Sequence, residues 1–249
     1  MPGVSELELA GTIRRPALRR VGHKGADLIA PGNTAASFDA AVAAGVDMIE
    51  FDVLPEHPDG SGELCLAHDY AALASSARFT LVQGLAHLGA APFETVDLDV
   101  DLKLPGYELR VVEALREAGL LERAMLSSMY PESLVRLREA EPGLTLGWSV
   151  PRVKRDYTTG LLTRIPAAAV LTGYRRVLPR RAERALRNRV CDAVMAHWRL
   201  VSPRLVRAVR RAGGELYVWT VDDRERMAAL EALGVTGIIT NDPRLFASG

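Results

Sequence analysis

The sequence predicts a single (β/α)8 barrel, or TIM barrel, in which eight parallel strands alternate with outer helices. Segments with strand periodicity alternate with segments of helical periodicity along nearly all of the 249 residues. About eight strands in about 250 residues is the usual size of such a barrel. The competing fold, a doubly wound open sheet, is disfavoured because the chain carries no glycine-rich dinucleotide-binding loop.

The strand candidates are short segments in which apolar and polar residues alternate or apolar residues run together. Val46–Val53 and Val96–Lys103 alternate strictly, with an apolar face and a charged face each. If the apolar face packs against the helices, the charged face must point into the barrel. The other candidates are Val21–His23, Leu64–His68, Ala124–Ser128, Leu144–Val150, Asp192–His197, Glu215–Val221 and Thr236–Thr240.

Helices are predicted between these strands. Thr34–Ala44 places apolar residues at helical spacing, and Pro131 begins a helix that ends near Ala140, since proline is favoured in the first turn. Residues 1–17 are expected to form an irregular N-terminal arm, and residues 18–249 the single barrel domain. The remaining helix candidates are Thr80–Leu88, Leu109–Ala118, Pro203–Arg211 and Asp223–Leu233.

The composition excludes several classes of protein. Hydrophobic residues make up 48% and charged residues 25%, which is typical of a globular domain rather than a disordered chain. The 31 basic and 31 acidic side chains cancel, and no nucleic-acid-binding motif is present, so a nucleic-acid partner is not expected. No signal-peptide core and no run of about 20 apolar residues occurs. We therefore expect a cytoplasmic protein.

The positive charge is concentrated in residues 150–190. This segment contains eleven lysines and arginines against Asp156 and Glu183, a net charge of +9. Because it also carries apolar residues, the segment predicts a basic helical excursion after the fifth strand of the barrel that makes a peripheral contact with an anionic membrane surface, at the inner membrane face. The alternative is a solvated arginine-rich pair of helices. The apolar residues expected to reach the headgroups are Leu161, Leu162, Ile165 and Leu171.

Polar residues stand where the predicted strands end, which is where functional residues of such barrels gather. Glu50 and Asp52 lie two residues apart on one strand face and suit a hard cation such as Mg²⁺ or Ca²⁺. A buried salt-bridge network with Lys103 is the alternative, because unpaired buried carboxylates are costly. His23 and His68 can exchange protons near neutral pH, and lysines beside a divalent cation suit a phosphate. These residues indicate metal-assisted hydrolysis of a phosphate ester.

Six ordered segments between about residues 19 and 246 resemble the glycerophosphodiester phosphodiesterase family, one of the phosphatidylinositol-specific phospholipase C-like TIM-barrel phosphodiesterases. The match is distributed over the whole predicted barrel. The segments are Val21–Ala26 with Pro31–Thr34 and Phe38, Gly45–Val53, His68-Asp69, Asp101–Lys103, Val218–Asp222 and Gly234–Pro243.

The resemblance implies a function and a role for each site residue. It implies a TIM barrel that hydrolyses glycerophosphodiesters to glycerol phosphate and an alcohol with a divalent metal, Mg²⁺ or Ca²⁺. Glu50, Asp52 and Asp101 would be the metal ligands, and His23 and His68 the acid/base pair. The substrate-binding residues would be Lys24, Lys103 and Trp219.

The chain departs from the family pattern at several positions. Lys24 replaces an arginine, Gly32 a glutamate that is often near the metal, and Asp101 a glutamate. Only residues 70–100 separate the His68-Asp69 pair from Asp101, which is shorter than in many bacterial relatives and predicts a more open pocket. These departures leave two alternatives: lysophospholipase D-type activity on lysophospholipids, and a weakly active or non-catalytic barrel that binds anionic lipid.

Overall fold

The computed structural model describes residues 17–75, 77–152 and 164–247, and it confirms the predicted barrel. Eight parallel strands close a ring in the order β1-β2-β4-β5-β6-β7-β8-β9, and β9 pairs with β1. The strands of the described residues are β1 (Arg19–Gly22), β2 (Met48–Pro55), β3 (Leu64–Leu66), β4 (Asp97–Leu102), β5 (Ala124–Ser128), β6 (Thr145–Val150), β7 (Ala193–His197), β8 (Glu215–Trp219) and β9 (Gly237–Thr240).

Helices surround the ring. They are α1 (Ala35–Ala43), α2 (Tyr70–Ser75), α3 (Leu81–Leu88), α4 (Glu108–Glu117), α5 (Pro131–Ala140), α6 (Arg164–Arg187), α7 (Pro203–Arg211) and α8 (Arg224–Leu233). Several begin one residue later than the sequence predicted, because the first predicted residue is the N-cap. Thr34 and Asp223, for example, each accept a hydrogen bond from a backbone N–H of the first turn.

The barrel has two apolar layers, and together they orient the charged residues. Ile49, Phe51 and Val53 of β2 pack in the large core between the ring and the helices. Met48 belongs to a second cluster inside the ring. Because successive side chains of a strand point to opposite faces, Glu50 and Asp52 point into the barrel with Met48. The other members of the inner cluster are Val21, Met125, Ala193, Met195, Tyr217 and Ile239.

The prediction of Leu64–His68 as one of the parallel strands is wrong. Only Leu64–Leu66 is a strand, and β3 pairs antiparallel with the end of β2, outside the closed ring. The short apolar run carries no signal that distinguishes a barrel strand from a hairpin. His68 is therefore placed by the return arm of a hairpin, not by the carboxyl end of a parallel strand. Helix α2 follows at once and was not predicted.

The basic segment is described only in part. Residues 1–16 and 153–163 lie outside the described residues, and so do the side chains of residues 164–171. The N-terminal arm and the membrane contacts expected of Leu161, Leu162, Ile165 and Leu171 therefore stay predictions. Helix α6 does follow the fifth strand of the ring, and it buries Leu178, Ala182 and Leu186 in the outer core. None of the helices in the described part of the chain is long and apolar enough to cross a bilayer.

Candidate active site

Three buried carboxylates converge inside the barrel. Glu50 and Asp52 come from β2 and Asp101 comes from β4, where it lies directly opposite Asp52 in the strand pairing. One carboxylate oxygen of each residue lies within 4.8 Å of the others. The charged faces of two neighbouring strands thus create a compact cluster of oxygen ligands.

Lys103 and Asn33 hold this cluster. The Nζ atom of Lys103 lies 2.5 Å from Asp52 Oδ1 and 2.6 Å from Asp101 Oδ2. Asn33 Nδ2 donates to Asp52 Oδ2 at 2.9 Å, and Asn33 Oδ1 accepts from the Asp52 backbone N–H at 3.0 Å. Asn33 lies within one of the segments that resemble the family, but nothing in the sequence pattern predicts this role.

The electrostatics of the cluster differ from residue to residue. Burial and the neighbouring charge of Asp52 raise the pKa of Glu50 well above its usual value. Burial alone would also raise the pKa of Asp52, but the Lys103 ammonium lowers it far below its usual range. Burial opposes the charge of Lys103, yet Asp101, Asp52 and Glu50 keep its pKa well above normal. One ammonium therefore faces several carboxyl groups.

The cluster fits a hard divalent cation. Asp101 Oδ1 is buried and accepts no hydrogen bond from the described residues, whereas Asp52 Oδ1 forms the ion pair with Lys103. Buried carboxylate oxygens normally have such partners. Three oxygen donors, an excess of negative charge and one buried oxygen without a partner match the preferences of Mg²⁺ and Ca²⁺. Lys103 compensates only part of this charge, so a metal-free salt-bridge network explains the arrangement less completely.

His23 follows β1 and faces the cluster. Its Nε2 atom lies 3.8 Å from Glu50 Oε2, and its Nδ1 atom lies 2.6 Å from Asn241 Oδ1 beyond the end of β9. Burial lowers the pKa of His23, although the charge of Asp52 opposes this effect. The resting imidazole is therefore neutral at neutral pH, with one ring nitrogen directed at the carboxylates.

His68 is more exposed than His23. Half of its side-chain surface is accessible, and its Nδ1 atom lies 3.1 Å from Asp69 Oδ2. Its charge contributes to the lowering of the Asp52 pKa, which places it in the electrostatic range of the cluster. The hairpin thus brings a second histidine to the same site.

Lys24 and Gly32 are linked by an aspartate that the sequence analysis did not single out. The backbone N–H of Lys24 donates to Glu50 Oε2 at 2.8 Å, and Lys24 Nζ lies 3.1 Å from Asp27 Oδ2. Asp27 Oδ1 accepts from the Gly32 N–H at 2.8 Å. A Cβ atom on residue 32 would lie 2.6 Å from that oxygen and 2.8 Å from Lys24 Cβ, so a side chain there would require Asp27 and Lys24 to shift.

Aromatic rings line the far side of the barrel. Trp219 ends β8, packs on the inner cluster and donates from Nε1 to the Met195 carbonyl at 2.9 Å. Its ring meets the His197 ring edge-on, with the centroids 5.2 Å apart. Trp198 stacks on His197. His197 was not among the predicted site residues, although its position at the end of a predicted strand was the available signal.

A fourth buried carboxyl lies below the cluster, and its titration predicts a change in stability. Burial raises the pKa of Asp99 to about 7, although Ser127 Oγ donates to it at 2.7 Å. The folded protein therefore binds this proton more tightly than the unfolded chain does. This contribution to the free energy of unfolding is full at low pH and declines as the pH rises from about 4 to about 7.

Asp99→Asn removes that titration and keeps the side-chain shape. We expect the variant to be more stable than the wild type at pH 8, by at most about 4 kcal/mol, and similar to it near pH 4. Urea unfolding at both pH values, in the presence of chelator, measures the difference. Equal stabilities at pH 8 would show that Asp99 is already ionised without penalty.

Comparisons of the sequence with known proteins agree with one another. The family model for the glycerophosphoryl diester phosphodiesterase family matches residues 23–76 and 92–245. A glycerophosphodiester phosphodiesterase of Caldanaerobacter subterraneus is 25% identical over 256 residues, which cover 90% of this chain and 93% of that protein. One from Arabidopsis thaliana is 29% identical over 174 residues, covering 70% of this chain and 47% of that protein.

Solved structures share the fold. A glycerophosphodiester phosphodiesterase from Parabacteroides distasonis has a TM-score of 0.68 at 17% identity and covers 90% of this chain and 92% of its own. An Oleispira antarctica phosphodiesterase was solved in complex with the product sn-glycerol-3-phosphate. It has a TM-score of 0.62 at 17% identity, and the match covers 91% of this chain and 94% of that one. These likenesses confirm the barrel.

Proposed function

The chain belongs to the glycerophosphoryl diester phosphodiesterase family, whose members are phosphoric diester hydrolases, and from this premise we propose that it hydrolyses glycerophosphodiesters to glycerol phosphate and an alcohol. The observation that carries the proposal is the convergence of Glu50, Asp52 and Asp101 beside Lys103 and His23. This arrangement combines cation ligands, a positive charge for phosphate and a proton acceptor in one place.

Glu50, Asp52 and Asp101 would hold Mg²⁺ or Ca²⁺. Bound there, the cation would neutralise charge that develops on the phosphate oxygens in the transition state. Lys103 supplies a second positive charge from within the cluster, and Lys24 supplies a third from the loop after β1. Trp219 would wall the opposite side of the pocket. The attraction of these positive charges for an anionic substrate would be much weaker in water, so their burial strengthens substrate binding.

The two histidines would share the proton transfers. His23 is buried and neutral, which suits the acceptance of a proton from the attacking water or substrate hydroxyl. His68 is half exposed and paired with Asp69, which suits delivery of a proton to the alcohol as it leaves toward solvent. The phosphorus–oxygen bond to the alcohol breaks as the new bond to the attacking oxygen forms. Where that oxygen is a substrate hydroxyl, the product of this step is a cyclic phosphate, and water then opens it to glycerol phosphate with the two histidines in exchanged roles.

A substrate panel tests the proposal. Purified protein is incubated with glycerophosphodiesters that differ in the alcohol and with lysophospholipids, each with Mg²⁺, with Ca²⁺ or with chelator. Glycerol phosphate, or its monoacyl form from a lysophospholipid, should appear together with the free alcohol and only with metal. Phosphate binding without turnover on any substrate would favour the non-catalytic barrel instead.

One observation favours lysophospholipids as a second substrate class. Leu28 and Ile29 are 61% and 38% exposed on the loop that follows His23 and Lys24. Every other large, exposed hydrophobic side chain in the described part of the chain lies on an outer helix. The Leu28 N–H donates to the Asn241 carbonyl at 3.0 Å, so the loop is fixed at the site. An acyl chain would cover these side chains, and Leu28→Ser should then reduce turnover of lysophospholipids only.

Lys24→Arg tests the phosphate role of Lys24. We expect equal or higher turnover, because a guanidinium can donate two parallel hydrogen bonds to phosphate oxygens where an ammonium acts as a point charge. Steady-state kinetics on the best panel substrate measure the effect. Loss of activity in a folded Lys24→Arg protein would mean that the amine itself has a specific role, and the phosphate assignment would fail.

The basic surface supports a peripheral membrane contact. Arginines at helical spacing form one exposed stripe on α6 and another on α7, and Glu183 joins them, since it lies 3.0 Å from Arg187 and 3.9 Å from Arg211. We call the two stripes the arginine patch, and we propose that the patch binds an anionic bilayer at about 1 kcal/mol per engaged residue. Its members are Arg176, Arg180, Arg184, Arg187, Arg204, Arg207 and Arg211.

Liposome co-sedimentation tests the patch. Binding to anionic vesicles should exceed binding to neutral ones and should weaken at high salt. The triple variant Arg176→Gln, Arg180→Gln, Arg184→Gln should lose most of it. The matched control, Arg78→Gln, Arg116→Gln, Arg244→Gln, removes the same charge elsewhere and should bind normally. Equal binding to both kinds of vesicle, or none at low salt, would leave only a solvated surface.

A further inference from the structure

A chain of hydrogen bonds connects His23 to an aspartate on another strand. The His23 Nδ1 atom lies 2.6 Å from Asn241 Oδ1. Asn241 Nδ2 donates to Asp222 Oδ2 at 2.7 Å, and the Asn241 backbone N–H donates to Asp222 Oδ1 at 2.8 Å. Thr240 Oγ1 donates to the same Oδ1 atom at 2.9 Å. Asp222, just beyond β8, is thereby anchored to the end of β9 by three hydrogen bonds.

The Asp222 carboxylate decides which atom of the Asn241 amide faces the histidine. An ionised carboxylate only accepts hydrogen bonds, so the NH₂ group of Asn241 must face it. The amide oxygen then faces His23, and an oxygen can only accept. Nδ1 of His23 must therefore carry the proton, and Nε2, the nitrogen directed at Glu50, is left with its lone pair. A flipped amide would place its oxygen against the carboxylate.

We propose that Asp222 is a positioning residue which, through Asn241, holds His23 in the tautomer that can accept a proton at Nε2. The inference rests on the proposed function, in which His23 takes the proton of the attacking water or hydroxyl. Asp222 does not touch the substrate. Its part is to fix the tautomer and the ring orientation, as outer hydrogen-bond partners of functional histidines commonly do.

The alternative is that Asp222 only ties the ends of β8 and β9 together. In that case its loss would lower stability and would leave the His23 tautomer and the rate of the bound substrate's reaction unchanged. The two roles of Asp222 can be distinguished with variants that keep the shapes of residues 222 and 241 and change which of the two carries the negative charge.

Three variants make this separation. Asp222→Asn removes the charge that orients the amide. Asn241→Asp places a second carboxylate against Asp222. In the double variant Asp222→Asn, Asn241→Asp, residue 222 becomes the amide that donates and residue 241 the carboxylate that accepts from His23, so every hydrogen bond can re-form. Each single variant should lower kcat by roughly 10- to 100-fold with KM nearly unchanged, and the double variant should recover most of the loss.

Asp223→Asn is the matched control. Asp223 is the neighbouring residue and caps α8 through the Arg226 N–H, a bond that asparagine can also make. It should keep the wild-type kcat. Thermal melts of all variants show whether a loss of kcat accompanies a loss of fold.

Nitrogen NMR of the histidine side chains reports the tautomer without any substrate. The His23 signal, assigned by its absence in His23→Gln, should show a protonated Nδ1 and an unprotonated Nε2 in the wild type. In Asp222→Asn the population protonated at Nε2 should grow. This readout stands even if the proposed function fails, which inactivity of the wild type on the whole panel would show.

Three results would overturn the proposal: an unprotonated Nδ1 in the wild type, a kcat that neither single variant changes, or a folded double variant that stays as slow as the single variants. If a single variant does not fold, the wild-type tautomer and the double variant decide the question.

Discussion

Asp52→Asn should reduce the turnover of a glycerophosphodiester by roughly 10³-fold or more, since about 4 kcal/mol of transition-state stabilisation would be lost with the cation. The substitution removes one of the proposed cation ligands and leaves Lys103 with a single close carboxylate, Asp101. The contacts with Asn33 can persist. An asparagine at position 52 keeps a side-chain oxygen that accepts from Asn33 Nδ2 and a backbone N–H that donates to Asn33 Oδ1. Steady-state kinetics with saturating Mg²⁺ or Ca²⁺ measure the loss.

Asp47→Asn is the control for this change. Asp47 lies just before β2, outside the cluster, and its carboxylate pairs with Arg20 at the surface. Its loss should cost at most about 1 kcal/mol of stability and leave turnover intact. A folded Asp52→Asn protein with near wild-type turnover would contradict the assignment of Asp52 as a ligand. Calorimetric titration with the metal, which needs no substrate, should show weakened binding in Asp52→Asn alone.

His23→Ala should lower turnover by roughly 10²- to 10⁴-fold, the usual effect of removing a general acid or base. The neutral imidazole can accept a proton, and its Nε2 atom lies 3.8 Å from Glu50 Oε2. His57→Ala is the matched control, because His57 is exposed in the turn between β2 and β3. Turnover near the wild-type value in a folded His23→Ala protein would remove His23 from the mechanism.

Substrates with different leaving groups distinguish the proposed roles of the two histidines. If His68 protonates the departing alcohol, His68→Ala should be strongly impaired on choline or glycerol esters and much less on a p-nitrophenyl ester, whose alcohol leaves without a proton. His23→Ala should be impaired on both classes of substrate. Equal impairment of His68→Ala on all esters would contradict its role as the acid.

The fold was predictable wherever one strand face is apolar and the other is charged. In Val46–Val53 the pattern indicated which side enters the barrel, and the structure places Ile49 and Phe51 outside and Met48 inside. The hairpin strand Leu64–Leu66 was misassigned because three apolar residues fit either kind of strand. Helix α2 was missed because it is short, and its start depends on the cap that Asp69 provides to the Ala72 N–H.

The candidate site was predictable in its charged residues and not in its supporting ones. Charged side chains on an otherwise apolar strand are costly to bury without a partner or a function, so Glu50, Asp52 and Asp101 could be identified from the sequence. Asn33 and Asn241 act through hydrogen bonds whose partners depend on the closed barrel; the His23–Asn241 contact spans 218 positions. No periodicity in a sequence predicts such a contact, although Asn33 and Asn241 lie within the segments that resemble the family.

The carboxylate cluster is proposed to bind a divalent cation on which phosphodiester hydrolysis depends. The most direct test of this proposal is a parallel titration of metal-stripped protein, in which calorimetry follows the binding of Mg²⁺ or Ca²⁺ and phosphorus NMR follows the conversion of a glycerophosphodiester to a phosphomonoester. Turnover should rise in proportion to the occupancy of a single site, and Asp52→Asn should show weakened binding together with its roughly 10³-fold lower turnover. Equal turnover before and after metal addition would contradict the account.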